Sequence, residues 1–151
     1  MKKEEPKQEE PKIVQKEQAA PVFDFQSVLA KQEFMVFVFH FKTGKWDLPE
    51  GARDFIQEAA EKINGILAMM KENAVKDKLV IDIYGYADPR GKFEANKTLS
   101  MKRAQSVKNA LAPLVKGNVE FRVTGFGSAE LYVSEDPNHS KNRRAVILLK
   151  K

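Results

Sequence analysis

The sequence predicts an α/β (α+β) two-layer sandwich, in which a mixed sheet carries its helices on one face. Four short apolar runs have the length and composition of strands. Two longer segments between them repeat apolar residues at helical spacing. The resulting order is β-α-β-α-β-β. Strands joined through helices favour parallel pairing with right-handed crossovers, so we expect a sheet that is parallel at least in part.

The first strand and helix follow from residues 34–72. Residues 34–41 are dense in Phe and Val, which predicts a strand buried on both faces. Asp47 is a candidate helix N-cap, with Pro49 in the first turn. Apolar residues then recur at helical spacing to about Glu72, at Phe55, Ile56, Ala59, Ile63, Ile66, Leu67 and Met70.

The second half of the chain repeats this alternation. Residues 79–84 predict a strand, residues 85–91 a loop, and residues 93–114 a second helix. Residues 119–123 alternate as a third strand, and the apolar residues 145–149 form a fourth. The loop between them, residues 125–140, is unusually long for a compact domain, which often indicates function.

Composition divides the chain into a tail and one domain. Residues 1–20 contain no aromatic residue, and their five Lys and five Glu cancel, so the net charge of +5 belongs to the remainder. Such a segment buries too little apolar surface to fold. We expect a disordered linker over residues 1–30 and one domain over residues 31–151. No secretory signal or membrane-spanning stretch is visible, so a membrane attachment would need an N-terminal anchor missing from this sequence.

Several function classes fit poorly. The absence of cysteine excludes a disulfide scaffold, a Cys-based zinc site and a thiol nucleophile. His40 and His139 lack partners at metal-ligand spacing, so we expect neither an enzyme nor a cofactor. Lysines are interleaved with acids, and the densest basic cluster, Lys141, Arg143 and Arg144, is short. We therefore expect no nucleic-acid partner.

An acid and a base flank the start of the second predicted helix. Asp88 lies in the loop after a strand, and Arg103 lies in the helix that follows. Together they could hold a zwitterion, since a carboxylate accepts an ammonium and a guanidinium binds a carboxylate bidentately. On the residues alone, turn chemistry for Asp88 and a solvated helix face for Arg103 are the commoner explanations. Trp46 fits either a lid over this site or plain surface.

The surrounding motifs resemble the OmpA-like C-terminal domain family. They are, in order, Gly85-Tyr86-x-Asp88, Asn96-x-x-Leu99-Ser100-x-x-Arg103-Ala104, Gly125-Phe126-Gly127 and Asn142-Arg143-Arg144-Ala145. This resemblance implies a β-α-β-α-β-β fold and non-covalent binding of the peptidoglycan stem peptide at diaminopimelate. It also implies a periplasmic domain tethered to a membrane, with dimerisation possible.

The same resemblance assigns roles to residues. Asp88 would receive the diaminopimelate ammonium and Arg103 its carboxylate, while Asn96 would hydrogen-bond the ligand and Arg144 would line the pocket. Arg143 would be structural or part of the solvent-exposed surface. Lys42, Thr43 and Ala87 also fall at pocket positions, and Lys42 and Ala87 depart from the family's usual aspartate and threonine. The alternative function is a protein- or nucleic-acid-interaction domain with a degraded wall-binding site.

Overall fold

A computed structural model describes residues 23–149. Its strands are β1 (Phe34–Phe39), β2 (Leu79–Gly85), β3 (Val119–Gly125) and β4 (Arg144–Leu149). Its α-helices are α1 (Phe25–Ala30), α2 (Ala52–Glu72) and α3 (Phe93–Leu111), with short 3-10 turns at Ala112–Leu114 and Ser140–Asn142.

The four strands form one mixed sheet in the order β1-β4-β2-β3. β2 and β3, joined through α3, pair in parallel as expected. β1 and β2 are not neighbours, because β4 lies between them and pairs antiparallel with both. The predicted sandwich with a mixed sheet is therefore confirmed. The central position of the last strand could not be predicted, because the sequence order of the segments does not show which strands become neighbours in the sheet.

Alternation along the strands separates two apolar layers. Val36, Val38, Ile81 and Ile83 face α2 and α3 in the main core. The opposite face of the sheet carries a smaller cluster of Tyr86, Val146 and Leu148, packed with other aromatic residues. Both long helices therefore cover one face, as predicted.

The edge position of β1 corrects its predicted burial on both faces. Only Val36 and Val38 are buried in this strand, while Met35 is 55% exposed. The strand also ends at Phe39, before the predicted Phe41, because His40 adopts a positive φ of 74°. This left-handed conformation is incompatible with a continuing strand and turns the chain toward the site described below.

Two predicted helix boundaries also differ from the structure. α2 begins at Ala52 after Gly51, whose φ of 82° gives the left-handed N-cap, so Asp47 is not the cap. α3 ends at Leu111, and the predicted final turn is a 3-10 turn containing Pro113. Proline lacks the N–H that an α-helical hydrogen bond needs.

α1 corrects the predicted boundary between tail and domain. Asp24 caps this helix by accepting a hydrogen bond from the Ser27 amide at 3.4 Å. Phe25 is buried in the main core, and Phe23 and Leu29 pack against it. The domain therefore includes residues 23–30, and the remainder of the predicted tail, residues 1–22, lies outside the described residues.

α3 lies very close to the sheet, and this position places the candidate site. A Cβ atom at Gly85 would overlap the Ser100 carbonyl, and one at Gly125 would meet the Met101 amide nitrogen at 2.5 Å. The two glycines face each other in the β2–β3 register. Only glycine permits this approach, which brings the Arg103 side chain to the end of β2.

Candidate ligand-binding site

Three segments meet at one end of the sheet. They are the loop after β1 (residues 40–46), the loop after β2 (residues 86–92) and Arg143 immediately before β4. The Phe41 amide donates to the Arg143 carbonyl at 3.1 Å, and the Tyr86 amide donates to the Arg144 carbonyl at 2.9 Å. These bonds fix both loops to the start of the central strand.

Asp88 is the acidic centre of this region. The residue is only 4% exposed. One carboxylate oxygen accepts from Arg90 Nη2 at 2.7 Å and from Arg143 Nη1 at 3.1 Å. Burial raises the pKa of Asp88, but the hydrogen bonds from Arg90 and Arg143 together outweigh it and hold the pKa below its usual value. Asp88 is therefore ionised at neutral pH.

Arg103 lies close enough to Asp88 to feel its charge, and it is completely buried. Its guanidinium donates to three backbone carbonyls, those of Lys45 at 2.8 Å, Tyr86 at 3.0 Å and Lys42 at 3.0 Å. Burial, reinforced by the nearby Arg143 charge and opposed by Asp88, lowers the pKa of Arg103 to about 10. The side chain remains a cation at neutral pH, and in this arrangement it joins the two loops rather than facing solvent.

Arg143, and not Arg144, lies beside Asp88. Neighbouring strand residues point to opposite faces of a sheet. Arg143 therefore extends toward Asp88, and its Nε also donates to the Phe41 carbonyl at 2.5 Å. Arg144 extends to the other face, where its guanidinium stacks 3.8 Å from the Tyr86 ring centroid. The two arginines thus exchange the positions that the sequence analysis assigned to them.

Arg144 has an unusual environment on that second face. It is 6% exposed, and its Nε has no hydrogen-bond partner among the described residues. Burial lowers its pKa, although the Tyr86, Glu130 and Tyr132 side chains oppose this. Tyr132 stands 5.5 Å from the guanidinium, ring centroid to carbon. The Arg144 guanidinium therefore lies near two aromatic rings, those of Tyr86 and Tyr132.

The remaining predicted residues support the loops more than they line a surface. Asn96 is 5% exposed and donates to the Arg90 carbonyl at 2.9 Å. Ala87 is buried, and its amide donates to the Gly127 carbonyl at 2.8 Å. Thr43 accepts from Arg90 Nη2 at 3.2 Å. Lys42 is exposed and contributes its carbonyl to Arg103.

Sequence reasoning missed Arg90 and Asn142. Arg90 follows Asp88 closely enough for a local ion pair, a spacing that could have indicated it. Asn142 is fully buried and binds the long loop through the Val133 amide and the carbonyls of Val133, Asp136 and Pro137. The only sequence signal for Asn142 was its place in the Asn-Arg-Arg motif.

Trp46 lies to one side of the site. It is 43% exposed, and the Lys102 ammonium stands 4.3 Å from its ring centroid. This contact is with α3 and does not cover Asp88, so the structure places Trp46 on the surface.

The arrangement suits an ion that carries both charges. An almost buried carboxylate lies next to a fixed guanidinium, with further cations at the rim. Within residues 23–149, no group of three or more His, Cys, Asp or Glu side chains is positioned to hold a metal ion. The same part of the chain contains no helix that is both long and apolar enough to cross a membrane.

Comparison with known proteins places this geometry in a family. The model of the OmpA family matches residues 41–145. A search of the curated proteins returned no match. Solved structures match over about three quarters of the chain. The peptidoglycan-associated lipoprotein of Burkholderia pseudomallei is 22% identical, with 76% of this chain and 90% of that chain covered and a TM-score of 0.55.

Two further structures have the same fold at lower identity. The periplasmic domain of Helicobacter pylori MotB is 16% identical, covering 80% of this chain and 84% of its own, with a TM-score of 0.54. The cell wall anchor of the Pseudomonas aeruginosa type VI secretion system is 18% identical, covering 78% and 81%, also with a TM-score of 0.54. The predicted resemblance is confirmed.

Proposed function

This chain belongs to the OmpA family, and we propose that it binds peptidoglycan non-covalently through the stem peptide, with diaminopimelate at Asp88. The binding would anchor an envelope protein or complex to the cell wall, without catalysis. The observation that carries this proposal is the Asp88 carboxylate, which is ionised, almost buried and paired with arginines at the meeting point of two loops.

The chemistry of the ligand supports this choice. The free end of diaminopimelate carries an ammonium and a carboxylate on one carbon atom. Asp88 would accept the ammonium, and Arg143 would donate to the carboxylate, because its side chain is already fixed 3.1 Å from Asp88. Charged hydrogen bonds in a partly dehydrated site are stronger than the same bonds in water.

Arg103 would contribute in a different way from the one the resemblance implied. Its side chain has no exposed surface and is bound to three carbonyls. A ligand carboxylate would reach it only if the loop of residues 40–46 moved. We therefore assign Arg103 mainly to positioning the two loops, with Asn96 supporting the Arg90 carbonyl from below.

The structural relatives point to a location outside the cytoplasm. One is a peptidoglycan-associated lipoprotein, one a periplasmic domain and one a cell wall anchor. By analogy we propose a periplasmic domain that is tethered to a membrane in the full-length protein. Its partner would be peptidoglycan.

Co-sedimentation with purified sacculi tests the proposal. Wild-type protein should pellet, and free meso-diaminopimelate should compete with the sacculi. Asp88→Asn should lose most of the binding, since it removes the charge with little change in shape. Asp82→Asn is the matched control, because Asp82 is a half-buried acid on β2 that pairs with Arg122 away from the site.

Two results would contradict wall binding. One is a wild-type protein that stays in the supernatant. The other is an Asp88→Asn variant that pellets like wild type. Salt-sensitive binding to heparin, equal in both proteins, would instead indicate an interaction domain with another partner. Arg103 variants are unsuitable for this experiment, because loss of that side chain is expected to disturb the fold itself.

A further inference from the structure

The position that a ligand ammonium needs on Asp88 is already filled by a neighbouring side chain. The carboxylate accepts four N–H groups, from Arg90 N at 3.2 Å, Arg90 Nε at 3.3 Å, Arg90 Nη2 at 2.7 Å and Arg143 Nη1 at 3.1 Å. A carboxylate offers about four acceptor sites. Asp88 is therefore saturated by its own chain.

We propose that the Arg90 side chain is an internal competitor for the ammonium subsite, and that it sets the affinity of the site by having to leave Asp88 before ligand binds. This inference rests on the proposed wall-binding function.

The two arginines on Asp88 are held very differently. Arg143 is 14% exposed at its side chain and donates also to the carbonyls of Phe41 and Asn138. Arg90 is 46% exposed at its side chain, and within residues 23–149 its guanidinium has one partner besides Asp88, the neutral Thr43 hydroxyl at 3.2 Å. Arg90 can therefore move into solvent at small cost, while Arg143 stays in place.

The charge around Asp88 explains why the ligand ammonium must replace the Arg90 guanidinium instead of joining it. Asp88 is surrounded by Arg90, Arg143 and the buried Arg103, so these four side chains together carry two positive charges in excess. A ligand ammonium brought into this set would be repelled. When the Arg90 side chain leaves, the ammonium replaces one cation by another, and the balance at Asp88 is unchanged.

The exchange also favours a zwitterion over a simple amine. The backbone amide of Arg90 remains on Asp88, so the displaced guanidinium stays tethered within a few bonds of the ligand. It can then donate to a ligand carboxylate, which a simple amine lacks. Arg90 thus weakens the binding of any ammonium to Asp88. For a ligand with a carboxylate next to its ammonium, the new hydrogen bond from Arg90 offsets part of that loss.

Calorimetric titration with meso-diaminopimelate, and with cadaverine as an amine without carboxylates, tests this inference. Arg90→Ala should bind cadaverine about two- to fivefold more tightly than wild type, because a partly exposed ion pair no longer competes. The ratio of the affinity for diaminopimelate to the affinity for cadaverine should be smaller in Arg90→Ala than in wild type. Thr43→Val removes the second partner of Arg90. It should change the affinities for cadaverine and diaminopimelate in the same direction as Arg90→Ala does, but by a smaller factor.

A second measurement does not depend on any ligand. Arg90→Ala should raise the pKa of the Asp88 carboxyl, followed by NMR, because that change removes two of the four hydrogen bonds that the carboxylate accepts, those from Arg90 Nε and Nη2. An unchanged pKa would show that Arg90 does not occupy Asp88 in solution and would overturn the inference, whatever sacculi do.

The outcomes separate the two proposals. If Asp88→Asn abolishes sacculus binding while Arg90→Ala binds both ligands no better than wild type, the wall-binding function stands and the competitor role is refuted. If neither wild type nor Arg90→Ala binds either ligand or sacculi, both proposals fail. Tight binding by Arg90→Ala alone would support the competitor role directly.

Discussion

Replacing Arg103 by Met tests whether this buried cation supports the fold. Methionine fills much of the same volume and cannot donate a hydrogen bond. The carbonyls of Lys42, Lys45 and Tyr86 would lose their donor in one step. The Phe41 ring, 5.4 Å from the guanidinium carbon, would keep an apolar neighbour. The change therefore isolates the hydrogen bonds from the packing.

The expected cost is about 4 kcal/mol. An unsatisfied buried polar group costs about 1–3 kcal/mol, so three carbonyls give about 3–9 kcal/mol. Part of this is offset, because the variant no longer holds a charge away from water. A small domain has only about 5–15 kcal/mol of stability to lose.

Urea denaturation measures this difference. Trp46 is the single tryptophan and lies in the loop that Arg103 holds, so its fluorescence reports that loop. Arg53→Met on the exposed face of α2 is the matched control, expected within about 0.5 kcal/mol of wild type. If Arg103→Met also falls within about 1 kcal/mol of wild type, the bonding scheme described for Arg103 is wrong.

Two further predictions concern pH and the long loop. Because the native pKa of Asp88 is lowered, its contribution to stability is complete above the ordinary carboxyl pKa of about 4 and is lost as pH falls through the lower native value. The stability difference between wild type and Asp88→Asn should therefore be constant near neutral pH and shrink in acid; a difference that grows in acid contradicts this assignment. Asn142→Ala removes every side-chain bond to residues 133–137, so amide exchange at Val133 should accelerate at least tenfold, since the lost bonds correspond to at least about 1.4 kcal/mol. Unchanged exchange would show that other contacts hold the loop.

The fold was largely readable from local patterns. Helical spacing in α2 and the alternation in β3 depend on residues near in sequence, and these elements lie close to where they were predicted. The position of β4 between β1 and β2 was not readable in this way, because both neighbours of a central strand are distant in sequence. For the same reason, the sequence did not show that one face of β1 is exposed. Strand pairing decides which strand lies at the edge of the sheet, and β1 is an edge strand.

For the candidate site, the sequence singled out the acidic residue more easily than it placed the arginines. The motif predicts Asp88 as a ligand residue, and that role stays a prediction; the structure shows that its carboxylate is almost buried and paired with Arg90 and Arg143. The choice between Arg143 and Arg144 depended on which face each occupies, and the buried Ala145 and Ile147 in the main core already fix that parity. The two-residue period of β4, extended by one residue toward its start, assigns Arg143 to the helix side of the sheet and Arg144 to the other side. The role of Arg103 required three carbonyls from two loops, which no single segment specifies.

The insertion of β4 between β1 and β2 has a consequence for how the domain acquires its structure. β4 is made after the other three strands, yet it supplies the contacts between β1 and the β2–β3 pair. Until it is present, β1 with α2 cannot join the second half of the sheet. Such a chain has a high proportion of contacts between distant segments, which slows folding. The Arg143–Asp88 contact, which needs the residue immediately before β4, therefore cannot form until that last part of the sheet has been made.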